Sequence, residues 1–218
     1  MSGRDRRSLA FWEVAASAGL ASLSVGWWAS SSWPGAEVVG NEEILAHAGD
    51  GVAVDREALA QFRTRRHEGE ALETLYLPGL DILRGDPEKR SAALSQVREF
   101  LEGEVSRAIA GPGALIVLAS DSHPRPGSLG RMIVFDGPHE WKMVQGRASD
   151  VAPSILARVG LPLAEDLPGR PVTALFRDNS LETARVATYG PRIPSVASRS
   201  RRSDREYLEK LKSLGYLN

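Results

Sequence analysis

Short apolar runs alternate with amphipathic segments along most of this chain, and this alternation is the feature that most constrains its fold. The runs GALIVLAS and RMIVFDG begin at Gly113 and Arg131. They are strands of the continuous apolar kind that a sheet covered on both faces requires. Because helical patterns come between the strand candidates, the sequence predicts an α/β domain with a largely parallel sheet.

The longest helix is predicted from Pro87 to Ala110. Proline suits the first helical turn because the N–H that it lacks has no partner there. The predicted core face of this helix consists of apolar residues at helical spacing, namely Leu94, Val97, Leu101, Val105 and Ala108.

Three shorter helices are predicted from their end residues. NEEILAHAG begins with Asn41 as N-cap, and DREALAQFRTRR begins with Asp55. DVAPSILARVG is closed by Gly160.

Composition narrows the function classes. A chain of 218 residues is one domain by default. Its 27 basic and 28 acidic residues nearly cancel, so no long-range field favours a nucleic-acid partner. It has no cysteine, which excludes disulfides, thiolate metal sites and thiol nucleophiles.

The first thirty residues permit two interpretations. Arg6 and Arg7 precede a weakly apolar stretch, the outline of an export signal. Alternatively, the apolar positions from Phe11 to Ala18 form a helix that Gly19 ends, and LSVGWW follows as a strand. We favour the helix and strand, since Ala, Ser and Gly are poor material for a membrane span. This favours the cytoplasm as the compartment and leaves export open.

The composition changes near residue 190, where GPRIPSVASRSRRSD is rich in proline, serine and arginine. We therefore predict one α/β domain over residues 1–190 and a mobile tail with a terminal helix over residues 191–218.

The stretch VLASDSHPRPG, residues 117–127, raises a functional question. It places Asp121 and His123 at the carboxyl end of a buried strand, where the ligands of α/β proteins collect. Three interpretations are open: a metal site, the remains of one, or a polar turn, since aspartate is also a common turn residue.

Several motifs together resemble the carboxyl-terminal half of the alkaline phosphatase superfamily. The branch that the chain resembles most is the type I phosphodiesterase/nucleotide pyrophosphatase branch, to which the sulfatases are related. The motifs are LYLPGLDILRGD, LIVLASDSH, GRMIVFDGP, SDVAPSILARVGLPLAEDLPGRPV and LEKLKSLGYL, in that order. The unit FWEVAASAGLASLSVGWWAS, followed by a Trp-Pro turn, is similar to that branch's helix and strand.

The resemblance implies an alkaline phosphatase-like sandwich and a two-metal site for zinc-type ions. Such ions polarise phosphoryl oxygens while a threonine or serine attacks phosphorus. It implies metal ligands at Asp81, Asp121 and His123 of this chain. His123 can be aligned with the family's ligands in two ways. It is either the displaced partner of Asp121 or the histidine that comes later in the family's sequences.

The implied site is incomplete. The family's histidine four residues after Asp81 is replaced by Gly85, and its Asp-His pair begins with Asp121 but continues with Ser122. The family's early aspartate and its nucleophile have no counterpart in this chain. We therefore expect no catalytic residue, and a weak or vestigial zinc site or none.

Two hypotheses on function follow. In the first, the chain is a diverged or truncated phosphodiesterase-like hydrolase homologue that is inactive alone. In the second, it is a non-catalytic domain that packs with a partner chain or forms a homo-oligomer, because an incomplete parallel sheet exposes strand edges. Neither hypothesis involves nucleic acid or a membrane.

Overall fold

A computed structural model describes residues 8–28, 30–47, 49–83, 86–111, 114–119, 130–136, 141–175, 183–191, 209 and 212. Within this part the protein is mixed α/β. It divides into two compact units, residues 1–97 with 190–218, and residues 98–189. The prediction of a single domain over residues 1–190 stays a prediction. No helix in the described part is long and apolar enough to cross a bilayer.

The first unit contains a parallel sheet of three strands in the order β2-β1-β3. The strands are β1 (Ser22–Val25), β2 (Ala36–Val39) and β3 (Leu72–Leu75). In the central strand, all four residues are buried, as a strand covered on both faces requires. The predicted parallel α/β arrangement is thus confirmed for this small sheet.

Five helices accompany these strands along the chain. They are α1 (Phe11–Ser17), α2 (Asn41–His47), α3 (Gly51–Arg65), α4 (Gly79–Ile82) and α5 (Pro87–Ala110). The helix-and-strand interpretation of residues 11–25 is confirmed. Gly19 follows α1 with a φ of 83°, a value that L-residues rarely adopt.

The predicted start of α3 at Asp55 is wrong by one helical turn. Asp50 is the N-cap, and its Oδ1 accepts a hydrogen bond from the Ala53 N–H at 3.0 Å. Asp55 instead lies inside α3 and is fully buried. Both aspartates suit a helix start, but only the first lies where the N–H groups of the first turn need an acceptor.

The predicted bounds of α5 are confirmed, and its predicted core face is partly wrong. Leu94 is 52% exposed, whereas Ala93 beside it is fully buried and Ala108 is nearly so. Helical spacing defines a stripe to within about one residue, and the small Ala93 side chain permits closer packing than Leu94 would.

The second unit contains β4 (Ala114–Ala119), β5 (Gly130–Asp136) and β6 (Trp141–Gly146). They pair antiparallel in the order β4-β5-β6, so the assignment of GALIVLAS and RMIVFDG to a parallel sheet is wrong. The physical reason is the short connection, residues 120–129, because a parallel crossover needs a dozen residues or more. The sequence analysis did not predict β6.

The rest of the second unit is a short helix with small pieces of sheet. α6 (Val151–Arg158) ends before Gly160 as predicted, and β7 (Leu163–Ala164) pairs parallel with β8 (Arg185–Val186). The tail predicted from residue 191 lies almost entirely outside the described residues. Of it, residues 209 and 212 are helical.

Asp150 fixes the segment that follows β7 to the start of α6. Its two carboxylate oxygens accept hydrogen bonds from the Arg147 N–H and the Arg170 N–H, both at 3.0 Å. Ser154 accepts a further hydrogen bond from the Val172 N–H at 2.9 Å. One carboxylate therefore joins Arg147 to Arg170, which are 23 positions apart.

We expect Asp150→Ala to lower the free energy of unfolding by about 1–2 kcal/mol, because two backbone N–H groups lose their acceptor. Urea unfolding measures the change, and hydrogen exchange at the Arg170 amide locates it. Glu165→Ala is the control, since that exposed side chain is expected to change stability by about 0.5 kcal/mol or less. Equal stability of the two variants would contradict this role for Asp150.

Candidate functional site at the carboxyl edge of the parallel sheet

The carboxyl ends of β1, β2 and β3 lie at one edge of the parallel sheet, where the ligands of α/β proteins bind. The chain continues past this edge with Gly26 after β1, Gly40 after β2 and Tyr76 after β3. Backbone hydrogen bonds extend one residue beyond the strands, from Gly26 N to Val39 O and from Tyr76 N to Val25 O, each at 3.0 Å.

Gly26 allows the ends of β1 and β3 to approach each other closely. Its φ is 80°, and a Cβ built on it would lie 2.5 Å from the Tyr76 carbonyl oxygen. Any other residue would have an unfavourable backbone conformation here, and its Cβ would also collide with the Tyr76 carbonyl oxygen. The edge between β1 and β3 is therefore closed by main chain, and side chains beyond it form the site.

Aromatic rings pack around this closed edge. The Trp27 ring lies 5.5 Å from the Tyr76 ring and 5.6 Å from the Trp12 ring, between centroids. The Phe11 ring contacts both tryptophans edge-on, at 5.0 Å from Trp12 and 5.9 Å from Trp27. Such pairs stabilise beyond the area that they bury, so this cluster fixes α1 against the carboxyl edge.

A buried carboxylate joins α3 to α4. Asp55 Oδ1 accepts a hydrogen bond from the Gly79 N–H at 2.8 Å. A Cβ on Gly79 would collide with the Asp55 carboxylate and with the Gly51 carbonyl oxygen. We call Gly51, Asp55 and Gly79 the α3–α4 contact. Burial raises the pKa of Asp55 from 3.8 to about 6, against the opposing effect of the Gly79 N–H.

Asp81 lies on α4, two residues after Gly79 and just beyond the carboxyl end of β3. Its side chain is partly exposed. Burial raises the pKa of Tyr76, a hydrogen bond from Trp28 lowers it, and the charges of Asp81 and Asp55 raise it further. The two carboxylates and the phenol are thus close enough to interact electrostatically.

The other two predicted ligands, Asp121 and His123, lie outside the described residues. The strands that precede Asp81 and Asp121, β3 and β4, belong to different sheets. That Asp81 and Asp121 share one metal site, as the resemblance implies, stays a prediction. Among the residues that the structure describes, no three His, Asp or Glu side chains are grouped so as to hold a metal ion.

Five residues near this edge carry buried polar groups with no hydrogen-bond partner within the described part of the chain. These groups are the Ser24 and Thr74 hydroxyls, the Trp27 indole N–H, the Asn41 side-chain amide and Asp55 Oδ2. Asn41 is 3% exposed and begins α2, one residue after Gly40. Unpaired buried polar groups are rare in folded proteins, and they concentrate here at the ends of strands and their helices.

An open groove lies at the amino-terminal end of α3, outside the α3–α4 contact. Its charged lining residues are Asp50, Arg56 and Lys89. Lys89 Nζ lies 3.3 Å from Asp50 Oδ2. The pKa of Asp50 is lowered, mainly by the hydrogen bond from the Ala53 N–H. Asp50 and Lys89 neutralise each other, so Arg56 leaves the groove with one net positive charge.

A scan against models of known protein families gave no match for this chain, and searches of curated proteins and of solved structures gave none either. The likeness to the alkaline phosphatase superfamily stays a prediction from the sequence motifs. The structure places Asp81 on α4, in the segment that follows the carboxyl end of β3.

The part of the site that surrounds Asp81 is not predicted by the sequence. The sequence predicts Asp55 as a helix cap and assigns no role to Tyr76 and Trp28. A usable pattern was present, because Asp55 falls three residues before Ala58 and four before Leu59, which are buried on α3. An aspartate on the apolar side of a helix is unusual and marks a group with a special environment.

We expect Gly79→Ala to lower the free energy of unfolding by about 2 kcal/mol or more, because the methyl group has no space beside Asp55 and Gly51. Gly103→Ala is the matched control. A Cβ on Gly103 meets nothing within 4 Å, so alanine stabilises α5 by up to about 1 kcal/mol through helix propensity. Thermal and urea unfolding measure both, and similar stability of the two variants would contradict the α3–α4 contact.

Proposed function

We propose that this chain is a diverged homologue of the type I phosphodiesterase/nucleotide pyrophosphatase branch of the alkaline phosphatase superfamily, with an incomplete two-metal site and no hydrolytic activity alone. The observation that carries the proposal is the place of Asp81, beyond the carboxyl end of β3 in a parallel sheet. Binding residues of α/β proteins collect there. In the same proposal, β2-β1-β3 is a part of the family's sandwich.

The described residues do not fit a complete zinc site. Asp81 supplies one carboxylate, whereas the Asp55 carboxylate is buried against Gly79 and bonded to its N–H. Zinc sites in proteins take three or four side-chain ligands. We therefore propose at most weak binding of a divalent ion, by Asp81 together with Asp121 and His123.

Hydrolysis by the family's route needs an activated oxygen nucleophile as well as two ions. At the described edge the Ser30 hydroxyl lies near Gly40, but it donates to the Trp27 carbonyl oxygen at 2.7 Å rather than to a base that could activate it. Components of a cooperating site act non-additively, so a partial set retains little of the rate.

We expect the purified chain to hold well under one zinc ion, and to leave bis-p-nitrophenyl phosphate and p-nitrophenyl phosphate unhydrolysed with or without added zinc. Elemental analysis and a steady-state assay measure these two outcomes. Asp81→Ala is compared with Glu88→Ala, an exposed acid in the first turn of α5. Any weak zinc binding is expected to fall in the first variant only.

Two results would overturn the proposal. Stoichiometric zinc that resists chelators would mean that the ligands have been misassigned. Turnover by the wild-type chain that Asp81→Ala abolishes and Glu88→Ala retains would mean that a working site exists.

A second candidate function is assembly with another chain. Its support is the apolar Leu94 side chain, 52% exposed on α5, together with the outer strands β2 and β3. Within the described residues neither outer strand pairs with a further strand. Open strand edges and exposed apolar side chains are both features of surfaces that bind partners.

If the partner is a second copy of this chain, we expect Leu94→Glu to shift the protein toward the monomer, because a charge replaces the apolar contact. Ser91→Glu, also exposed on α5, is the control that changes charge alone. Light scattering after gel filtration measures the mass. A wild-type monomer at high concentration would exclude the homo-oligomer, and equal dimerisation of both variants would exclude this surface.

A further inference from the structure

The α3–α4 contact brings two helices together through main chain rather than through side chains. A Cβ on Gly51 would lie 2.8 Å from the Gly79 carbonyl oxygen, and a Cβ on Gly79 would lie 2.5 Å from the Gly51 carbonyl oxygen. Both residues are buried. Such close approach leaves no room for water, so the polar groups inside the contact depend on one another.

Asp55 is the polar side chain enclosed by this contact. It is fully buried, and its Oδ1 accepts the Gly79 N–H at 2.8 Å. Its Oδ2 is buried against the Gly79 Cα and has no hydrogen-bond partner among the described residues. A carboxylate with one unpaired buried oxygen is poorly stabilised, whereas its protonated form places less charge in the same space.

We propose that Asp55 is a pH-dependent latch for α4: its neutral form holds the segment from Pro78 to Leu83 against α3, and its ionised form favours release of that segment. Release brings the carboxylate into water. The segment carries Asp81, and its internal hydrogen bonds run from the Asp81, Ile82 and Leu83 N–H groups to the Pro78 and Gly79 carbonyls. A helical turn this short does not persist in water, so release from α3 breaks these bonds as well. The latch needs no metal and no substrate, so it does not depend on the function proposed above.

The direction of the pH effect follows from the two states. In the closed state burial raises the pKa of Asp55 to about 6, and in the open state the pKa returns to 3.8. The closed state therefore binds the proton more tightly. The extra stability that protonated Asp55 gives the closed state is fully present at low pH. It is lost as the pH rises from about 4 through about 6, and it stays lost above that.

Charged neighbours do not account for this behaviour. The elements packed against α3 are α2, α4, β1 and β3. Their ionisable residues are Glu42, Glu43 and His47 on α2, Asp81 on α4 and Glu73 on β3, with Tyr76 following β3. Glu43 and Glu73 pair with Arg65 and Arg66. The pKa of Asp55 is raised by burial and lowered by the Gly79 N–H, and among the described residues no charged side chain shifts it further.

Hydrogen exchange of the wild-type chain tests the latch. We expect the protection factors of the Gly79, Ile82 and Leu83 amides to fall by about 50-fold between about pH 4 and about pH 8, the change that this pKa difference gives. Protection factors remove the intrinsic pH dependence of exchange. Amides at the centre of α5 serve as an internal reference in the same sample.

Three variants identify the titrating group. Asp55→Asn keeps an acceptor for the Gly79 N–H and cannot ionise, so the pH dependence at these amides is expected to vanish. Asp81→Asn and Glu88→Gln are expected to retain it. A pH dependence that persists in Asp55→Asn, or that vanishes in Asp81→Asn, would overturn the proposal.

A direct measurement keeps the test valid if Asp55→Asn folds poorly. The carbon-13 shift of the Asp55 carboxyl carbon in the wild-type chain is expected to titrate with a midpoint near pH 6. A midpoint near pH 4 would show that the carboxylate is not held in the closed contact, and the latch would be excluded.

Discussion

The carboxyl edge of the parallel sheet depends on close approach of main chain to main chain. Gly26 lets the end of β1 contact the Tyr76 carbonyl, and Gly79 lets α4 contact α3. A Cβ on either glycine would collide with the facing main chain. Tyr76 in the first contact and Gly79 in the second are both within a few residues of Asp81 along the chain. The aromatic rings of Trp12, Trp27 and Tyr76 then fill the space that the backbone leaves. The shape of the backbone around the candidate site therefore depends on glycines, and the functional side chains are attached to that backbone.

A buried acid beside such a contact lowers stability at neutral pH. An apolar side chain of similar size would avoid the desolvation of the carboxylate, but it would leave the buried Gly79 N–H without an acceptor. Proteins often keep an unfavourable buried polar group where conformational change or binding requires it. In this chain the position holds Asp55, whose partner Gly79 begins the helix that carries Asp81. The proposed latch and the proposed remnant of a metal site thus concern the same few residues, although either one can fail alone.

Much of the local structure was predictable from the sequence, and long-range pairing was not. Pro87 and Ala110 bounded α5 correctly, because a proline start and an unbroken helical period are local properties. The direction of β4 and β5 was wrong, since a continuous apolar strand has the same composition in either direction. Asp81 was singled out by a motif, whereas Asp55 was missed because its role comes from Gly79, which is distant in sequence. The helical period places Asp55 on the buried side of α3, but it does not show which residue Asp55 meets there.

The two sheets differ in how far apart along the chain their partners lie. In the parallel sheet Ser22 pairs with Leu72, across two helices and a further strand. In the antiparallel sheet Ala119 pairs with Arg131, within one short connection. Closing a long loop is slow, because the entropy of the intervening chain is lost before the contacts form. The order of events during folding is therefore built into the topology: the β4-β5-β6 meander can form early from local contacts, while the carboxyl edge that holds Asp81 assembles late.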